Sequence, residues 1–142
     1  MFKLQLKYLS FFFGIITILS FFNIIYSYYL NLYLNLDTYI YSLIISLIIS
    51  ILFYKLKPIE KKYSIFDKIL TVFFGYVLIP LVLSIPFYFS IYNLTFLNSY
   101  FEAISGFTST GFTIFENIKN IDQSLIIWRS STQWIGGLYF LF

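Results

Sequence analysis

The chain contains no cysteine and no histidine. Disulfides, thiolate chemistry, histidine-ligated metals and a Ser-His-Asp triad are therefore excluded. Charge is scarce as well. Charged residues make up 11% of the 142 residues, against about 25% in a typical soluble domain. So few charges cannot build a water-facing surface. What is abundant is apolar: 60% of the residues are hydrophobic and 25% aromatic, with a mean hydropathy of +0.85. Disordered chains are poor in aromatics and rich in charge, so disorder is excluded too. The bilayer is the expected solvent. The 19 Phe and 14 Tyr are spread over the whole chain, while Ala103 is the only alanine. This is a chain-wide compositional bias, and it deprives any single aromatic of special meaning. The net charge of +3 is too small for a nucleic-acid footprint. No paired acids, nucleophile–base set or nucleotide-binding loop is present, so no enzyme chemistry and no covalently bound cofactor is expected.

The gaps between the charges define the membrane segments. Tyr8 to Leu30 carries no charge and, at about 1.5 Å per residue, exceeds the roughly 30 Å hydrocarbon core. It follows Lys3 and Lys7 but is too long for a signal-peptide h-region, and no small-residue cleavage site follows it. Further apolar runs cover residues 38–54, 69–92 (with Pro80 and Pro86) and 124–142. Residues 31–37 hold only Asp37, whereas 55–68 hold Lys55, Lys57, Lys61, Lys62 and Lys68 against Glu60 and Asp67. The positive-inside rule then places the N-terminus and this basic loop in the cytoplasm.

A 31-residue interruption, Asn93 to Gln123, separates the last two runs. Asn98-Ser99 is a capping signal for a helix too short to cross a bilayer. Gly106-Phe107-Thr108-Ser109-Thr110-Gly111-Phe112-Thr113 follows, a composition that favours extended or irregular backbone. A short helix that enters from outside and must return outside is a re-entrant pore loop. Irregular backbone at membrane depth survives only inside protein or along a watery path. Ser109-Thr110-Gly111-Phe112-Thr113 also lines up with the potassium-channel filter Thr-Val-Gly-Tyr-Gly, whose inward carbonyls replace the ion's water shell.

Two strings carry a family resemblance: Phe101-Glu102-Ala103-Ile104-Ser105-Gly106-Phe107-Thr108-Ser109-Thr110-Gly111-Phe112-Thr113 and Trp128-Arg129-Ser130-Ser131-Thr132-Gln133-Trp134-Ile135-Gly136-Gly137. Together they resemble the first pore repeat of the Trk/Ktr/HKT superfamily of potassium transporters, nearest the bacterial TrkH type. The two leading helices also resemble that branch. Two departures stand out: Ser109 where threonine is common, and Phe112 where a smaller residue is. The resemblance implies an all-α membrane protein. Its divisions are a transmembrane helix pair (1–57), a cytoplasmic basic loop (58–68) and a first pore repeat (69–142). The repeat comprises helix 69–92, pore helix 98–107, filter 108–113, outer loop 114–123 and truncated helix 124–142. It further implies that Thr108, Ser109, Thr110, Gly111 and Phe112 bind K+ as the transported ion, with Glu102, Gly106, Thr113, Arg129 and Gln133 in support. The implied partners are membrane lipid, three further pore repeats, a second copy in a homodimer and a cytosolic nucleotide-binding regulatory subunit. The implied setting is the bacterial cytoplasmic membrane, crossed several times.

Several side chains admit two readings. Glu102 either holds the loop, through backbone amides or Arg129, or adds negative potential near the ion path. Arg129 either braces the loop through Glu102 or loop carbonyls, or snorkels to the outer interface. Gln133 is placed to bond across helices, Gly136-Gly137 to allow close packing, and Trp128 and Trp134 to anchor at the interface. Glu116, Lys119 and Asp122 read as a solvated outer loop. A chain ending inside an apolar run reads as an N-terminal fragment of a longer transporter. Two other readings remain: a subunit of a homotetrameric cation channel, and a non-conducting membrane assembly protein.

Overall fold

The computed structural model describes residues 5–56 and 64–141. Lys3 and most of the basic loop, including Lys57, Glu60, Lys61 and Lys62, lie outside the described residues, as does Phe142. The described residues are helical, with no strand among them. The elements are α1 (Leu6–Tyr29), α2 (Leu36–Lys55), α3 (Ile65–Leu83), α4 (Ile85–Tyr88), α5 (Phe96–Phe107) and α6 (Gln123–Leu141), with a short 3₁₀ turn at Ile118–Asn120. Three spans are long and apolar enough to cross a membrane: Leu6–Tyr29, Leu36–Lys55 and Ile65–Tyr88. α6 is not among them, since it carries Arg129, Ser130, Ser131, Thr132 and Gln133 within its 19 residues.

α1 and α2 form an antiparallel hairpin. Lipid provides no hydrophobic force to drive helices together, so small residues and hydroxyl bonds hold them instead. Here they form a ladder. Ser10 Oγ donates to the Ser50 carbonyl (2.8 Å), and Ser50 Oγ donates back to the Ser10 carbonyl (2.9 Å). Thr17 Oγ1 meets Ser46 Oγ at 2.9 Å, and Ser20 Oγ donates to Ser42 Oγ at 3.2 Å. Sequence reasoning passed over these serines because each sits singly in an apolar run.

α3 begins at Ile65, ahead of the predicted residue 69, because Ser64 and Asp67 form a capping box. The Ser64 N–H donates to Asp67 Oδ2 (3.0 Å) and Ser64 Oγ accepts from the Phe66 N–H (3.3 Å). The expected single helix over 69–92 is broken at Ser84. Pro86 has no N–H to continue the ladder, and a one-turn helix, α4, follows. The carbonyl of Leu83 at this break accepts from Trp128 Nε1–H at 3.0 Å. Trp128 is 0% exposed, so it is an internal brace and not the expected interface anchor. Trp134 does lie exposed. Replacing Trp128 with phenylalanine keeps most of the ring but leaves the buried Leu83 carbonyl unpaired. A loss of about 1–3 kcal/mol should follow, read as a lower melting temperature in detergent.

α5 starts at Phe96, capped by Thr95 and not by the predicted Asn98-Ser99. Thr95 Oγ1 accepts from the Asn98 N–H at 3.3 Å. Its 12 residues rise about 18 Å, too little to cross the bilayer. The C-terminal half of α5 packs against α6 at two points. A Cβ on Gly106 would overlap Thr132 Oγ1, and a Cβ on Gly136 would overlap the Phe107 carbonyl group. Gly137 faces open space in this chain, so only the first glycine of the pair serves close packing. Deeper in the bundle, Phe12, Tyr76 and Phe107 surround the ring of Tyr139, with centroids 4.8–5.4 Å away. The Tyr139 hydroxyl donates to the Thr71 and Val72 carbonyls across a face that Gly75 leaves free.

Candidate ion-binding loop

The chain leaves α5 at Phe107 and doubles back through residues 108–113 as irregular backbone. φ is −83° at Thr108, +56° at Ser109 and +78° at Gly111. Gly111 takes this left-handed conformation without steric cost. Ser109 lacks the second Cβ substituent that makes positive φ a severe outlier for β-branched residues.

The N–H groups show which way each peptide unit faces. Ser109 N–H donates to the Gly106 carbonyl (2.9 Å). Thr110 N–H and Gly111 N–H both donate to the Ser105 carbonyl (3.1 and 3.4 Å). No peptide bond among the described residues is cis. In a trans peptide the C=O points opposite to the N–H. The carbonyls of Thr108, Ser109 and Thr110 therefore point away from α5, towards the exposed side of the loop. No hydrogen bond to any of the three is found among the described residues.

The direction reverses at the next unit. The Gly111 carbonyl accepts from Arg129 Nη2 at 3.1 Å. The Phe112 carbonyl accepts from the same nitrogen at 3.0 Å and from Ser105 Oγ at 2.7 Å. Both oxygens are thus committed inside the protein, and the Phe112 ring is 71% exposed. The five residues expected to line the ion path are brought together, but the structure divides their carbonyls into three free and two engaged.

Arg129 and Glu102 hold this turn from behind. Glu102 is 0% exposed. Its Oε2 accepts from Arg129 Nε at 3.0 Å, and its Oε1 accepts from Thr113 Oγ1 (2.7 Å) and the Ile114 N–H (2.6 Å). All three are charge-assisted, the stronger class of hydrogen bond. The guanidinium, 14% exposed, bridges the carboxylate to the two loop carbonyls. Its planar fork allows one side chain to satisfy acceptors in different directions. Arg129 thus contacts Glu102 and the two loop carbonyls together, and Glu102 has its charge paired by Arg129.

Gly106 lies against Thr132, whose Oγ1 donates to the Arg129 carbonyl at 2.7 Å. Gln133 stands outside the network, with no side-chain hydrogen bond found among the described residues. Ser105 is the participant that sequence reasoning missed. Its hydroxyl also meets Thr110 Oγ1 at 3.2 Å. A serine one residue before the first glycine of the loop was the available signal. Asp122 was missed as well. Far from being merely solvated, it caps α6: Oδ1 accepts from the Ser124 N–H (3.3 Å) and Oδ2 from Ser124 Oγ (2.8 Å).

The sequence model of the TrkH family, described as a cation transport protein, matches residues 40–141. An uncharacterized cation transporter of Methanocaldococcus jannaschii is 38% identical over 55 residues, covering 39% of this chain and 12% of that protein. The Trk system potassium uptake protein TrkI of Halomonas elongata is 38% identical over 60 residues, covering 42% and 11%. The Trk system potassium uptake protein TrkH of Escherichia coli K12 is 36% identical over 56 residues, covering 39% and 12%. The chain therefore matches only 11–12% of the length of these relatives. No solved structure matches it. With a family match over most of its length, and with three helices fit to span a bilayer, the chain belongs to the TrkH family of cation transport proteins.

Proposed function

We propose that this chain forms part of the ion path of a potassium uptake transporter in a bacterial cytoplasmic membrane, with its N-terminus in the cytoplasm. The carbonyls of Thr108, Ser109 and Thr110 supply one segment of the filter, about a quarter of it, beside three further repeats of the complete protein. A dehydrated potassium ion needs several oxygen ligands to replace its water shell. The observation that carries the reading is the set of three consecutive carbonyls turned away from α5 and without donors among the described residues. Backbone oxygens without partners are expensive in a membrane unless they line a watery or ion-bearing path. The names of the Halomonas and Escherichia relatives support potassium as the ion. In this reading Gly111 and Phe112 act by position, since their own carbonyls belong to Arg129. Glu102, Gly106, Thr113 and Arg129 keep the loop in shape.

The test is uptake of K+, or of Rb+ as its tracer, by the complete transporter in a host lacking its own potassium uptake. Gly111→Val places a β-branched residue at φ +78°, a strain of roughly 1–3 kcal/mol if the backbone holds. If the backbone relaxes instead, the Thr110 and Gly111 peptide units swing round. In both cases uptake should fall by at least about tenfold. Unchanged uptake by a membrane-inserted Gly111→Val protein would remove the filter assignment.

A further inference from the structure

We propose that Asn35, at the tip of the leading hairpin, is a positioning residue for the filter, acting through Asp122 and α6 on Arg129; the inference rests on the filter reading above. Asn35 occupies the N-cap position of α2, where an asparagine side chain ordinarily accepts from its own helix. Here it makes no such bond. The residue is 0% exposed, and both amide atoms are spent on other elements. Nδ2 donates to Asp122 Oδ2 at 2.7 Å, and Oδ1 accepts from the Ile91 N–H at 3.2 Å. One side chain therefore joins the hairpin tip, the link from α4 to α5, and the cap of α6.

Two more contacts fix the same junction. Tyr39, one turn along α2, shares a 2.8 Å hydrogen bond between its hydroxyl and Ser124 Oγ. The Tyr92 hydroxyl accepts from the Asp122 N–H at 2.7 Å. The hairpin behind Asn35 is itself cross-linked by the serine ladder, whose rung nearest the tip is Ser20–Ser42. From Asp122 to Arg129 is two helical turns, a rise of about 10 Å. A helix transmits a displacement of its first turn to its second with little loss. Arg129 in turn holds the Gly111 and Phe112 carbonyls at 3.0–3.1 Å. The leading hairpin is thus more than a membrane anchor: it sets where the outer edge of the filter sits.

The experiment uses the complete transporter in a host without its own potassium uptake, with initial rates normalised to protein in the membrane. Asn35→Leu removes both bonds at similar volume. Asn35→Asp keeps the acceptor for Ile91 but sets two carboxylates against each other. The exchange variant Asn35→Asp with Asp122→Asn restores a donor–acceptor pair with one carboxylate. Both single variants should raise the apparent KM for K+ by about fivefold or more and lower the preference for K+ over Na+. The exchange variant should recover most of both. A lower maximal rate or lower protein level, with KM and ion preference unchanged, would overturn the proposal. Should Asn35→Leu not reach the membrane, Asp122→Asn alone carries the same readout, since it spares the hairpin and removes the carboxylate that Asn35 binds. A wild-type protein that moves no K+ would defeat the filter reading itself. Active wild type with unshifted Asn35 and Asp122 variants would defeat only this inference.

Discussion

Replacing Glu102 with alanine should abolish cation uptake by the complete transporter while the protein still inserts in the membrane. The carboxylate is buried and receives three donors: Arg129 Nε, Thr113 Oγ1 and the Ile114 N–H. Without it, Arg129 is left as a nearly buried cation with only carbonyl partners. Removing one member of a buried ion pair typically costs about 3–5 kcal/mol. The cost falls on the turn that carries the candidate ion ligands, because the rest of the bundle is held by separate contacts. Two milder variants grade the effect. Glu102→Gln keeps a neutral acceptor for Ile114 and should retain partial uptake. Arg129→Lys keeps the charge, but one ammonium cannot reach the carboxylate and both carbonyls with a planar fork's geometry, so it should fall nearer the alanine variant. Rates would be compared per transporter in the membrane fraction. A Glu102→Ala protein transporting within about twofold of wild type would show that the brace is dispensable.

The second large effect is expected at Gly136. A Cβ there would overlap the carbonyl group of Phe107, the last residue of α5. The obstacle is backbone, which cannot rotate aside as a side chain does. Alanine forces α5 and α6 apart, at about 1–3 kcal/mol for overpacking, and valine more. The candidate ion-binding loop starts at the next residue, so the displacement goes straight into Thr108. Gly136→Ala should lower both heat stability in detergent and uptake. Gly137→Ala, whose Cβ meets nothing within 4 Å in this chain, should leave the α5–α6 contact intact. If the two alanine variants melt alike, close approach at Gly136 is not what seats the pore helix.

Much of the architecture was legible in the sequence for one reason. In a chain this poor in charge, most charges mark a boundary, so the gaps outline the helices. The run from Gly106 to Thr113 announced irregular backbone because it breaks helical composition. Arg129 and Glu102 were legible as candidates because a charge inside an apolar segment needs a partner. Carbonyl direction was not legible. The carbonyls of Gly111 and Phe112 turn to Arg129, 18 and 17 residues away, and no local pattern encodes that. Asp122 read as part of a solvated loop because its pairing with Asn35 spans 87 residues. Trp128 was misjudged for a related cause. The carbonyl it satisfies, that of Leu83, lies 45 residues away at the break between α3 and α4.

The serine ladder of α1 and α2 bears on how the protein is made. Ser10, Thr17 and Ser20 find their partners in Ser50, Ser46 and Ser42, all within the neighbouring helices α1 and α2. A hairpin whose hydroxyls are mutually satisfied can leave the insertion machinery as a closed pair and wait in lipid. Asn23 and Ser27 are different: their side chains are buried and have no hydrogen-bond partner among the described residues. Both lie in the C-terminal half of α1, and Asn23 flanks a groove shared with Ile127 and Ser131 of α6. The hairpin is thus closed along its serine ladder, while Asn23 and Ser27 find no hydrogen-bond partner among the described residues even with α6 beside them.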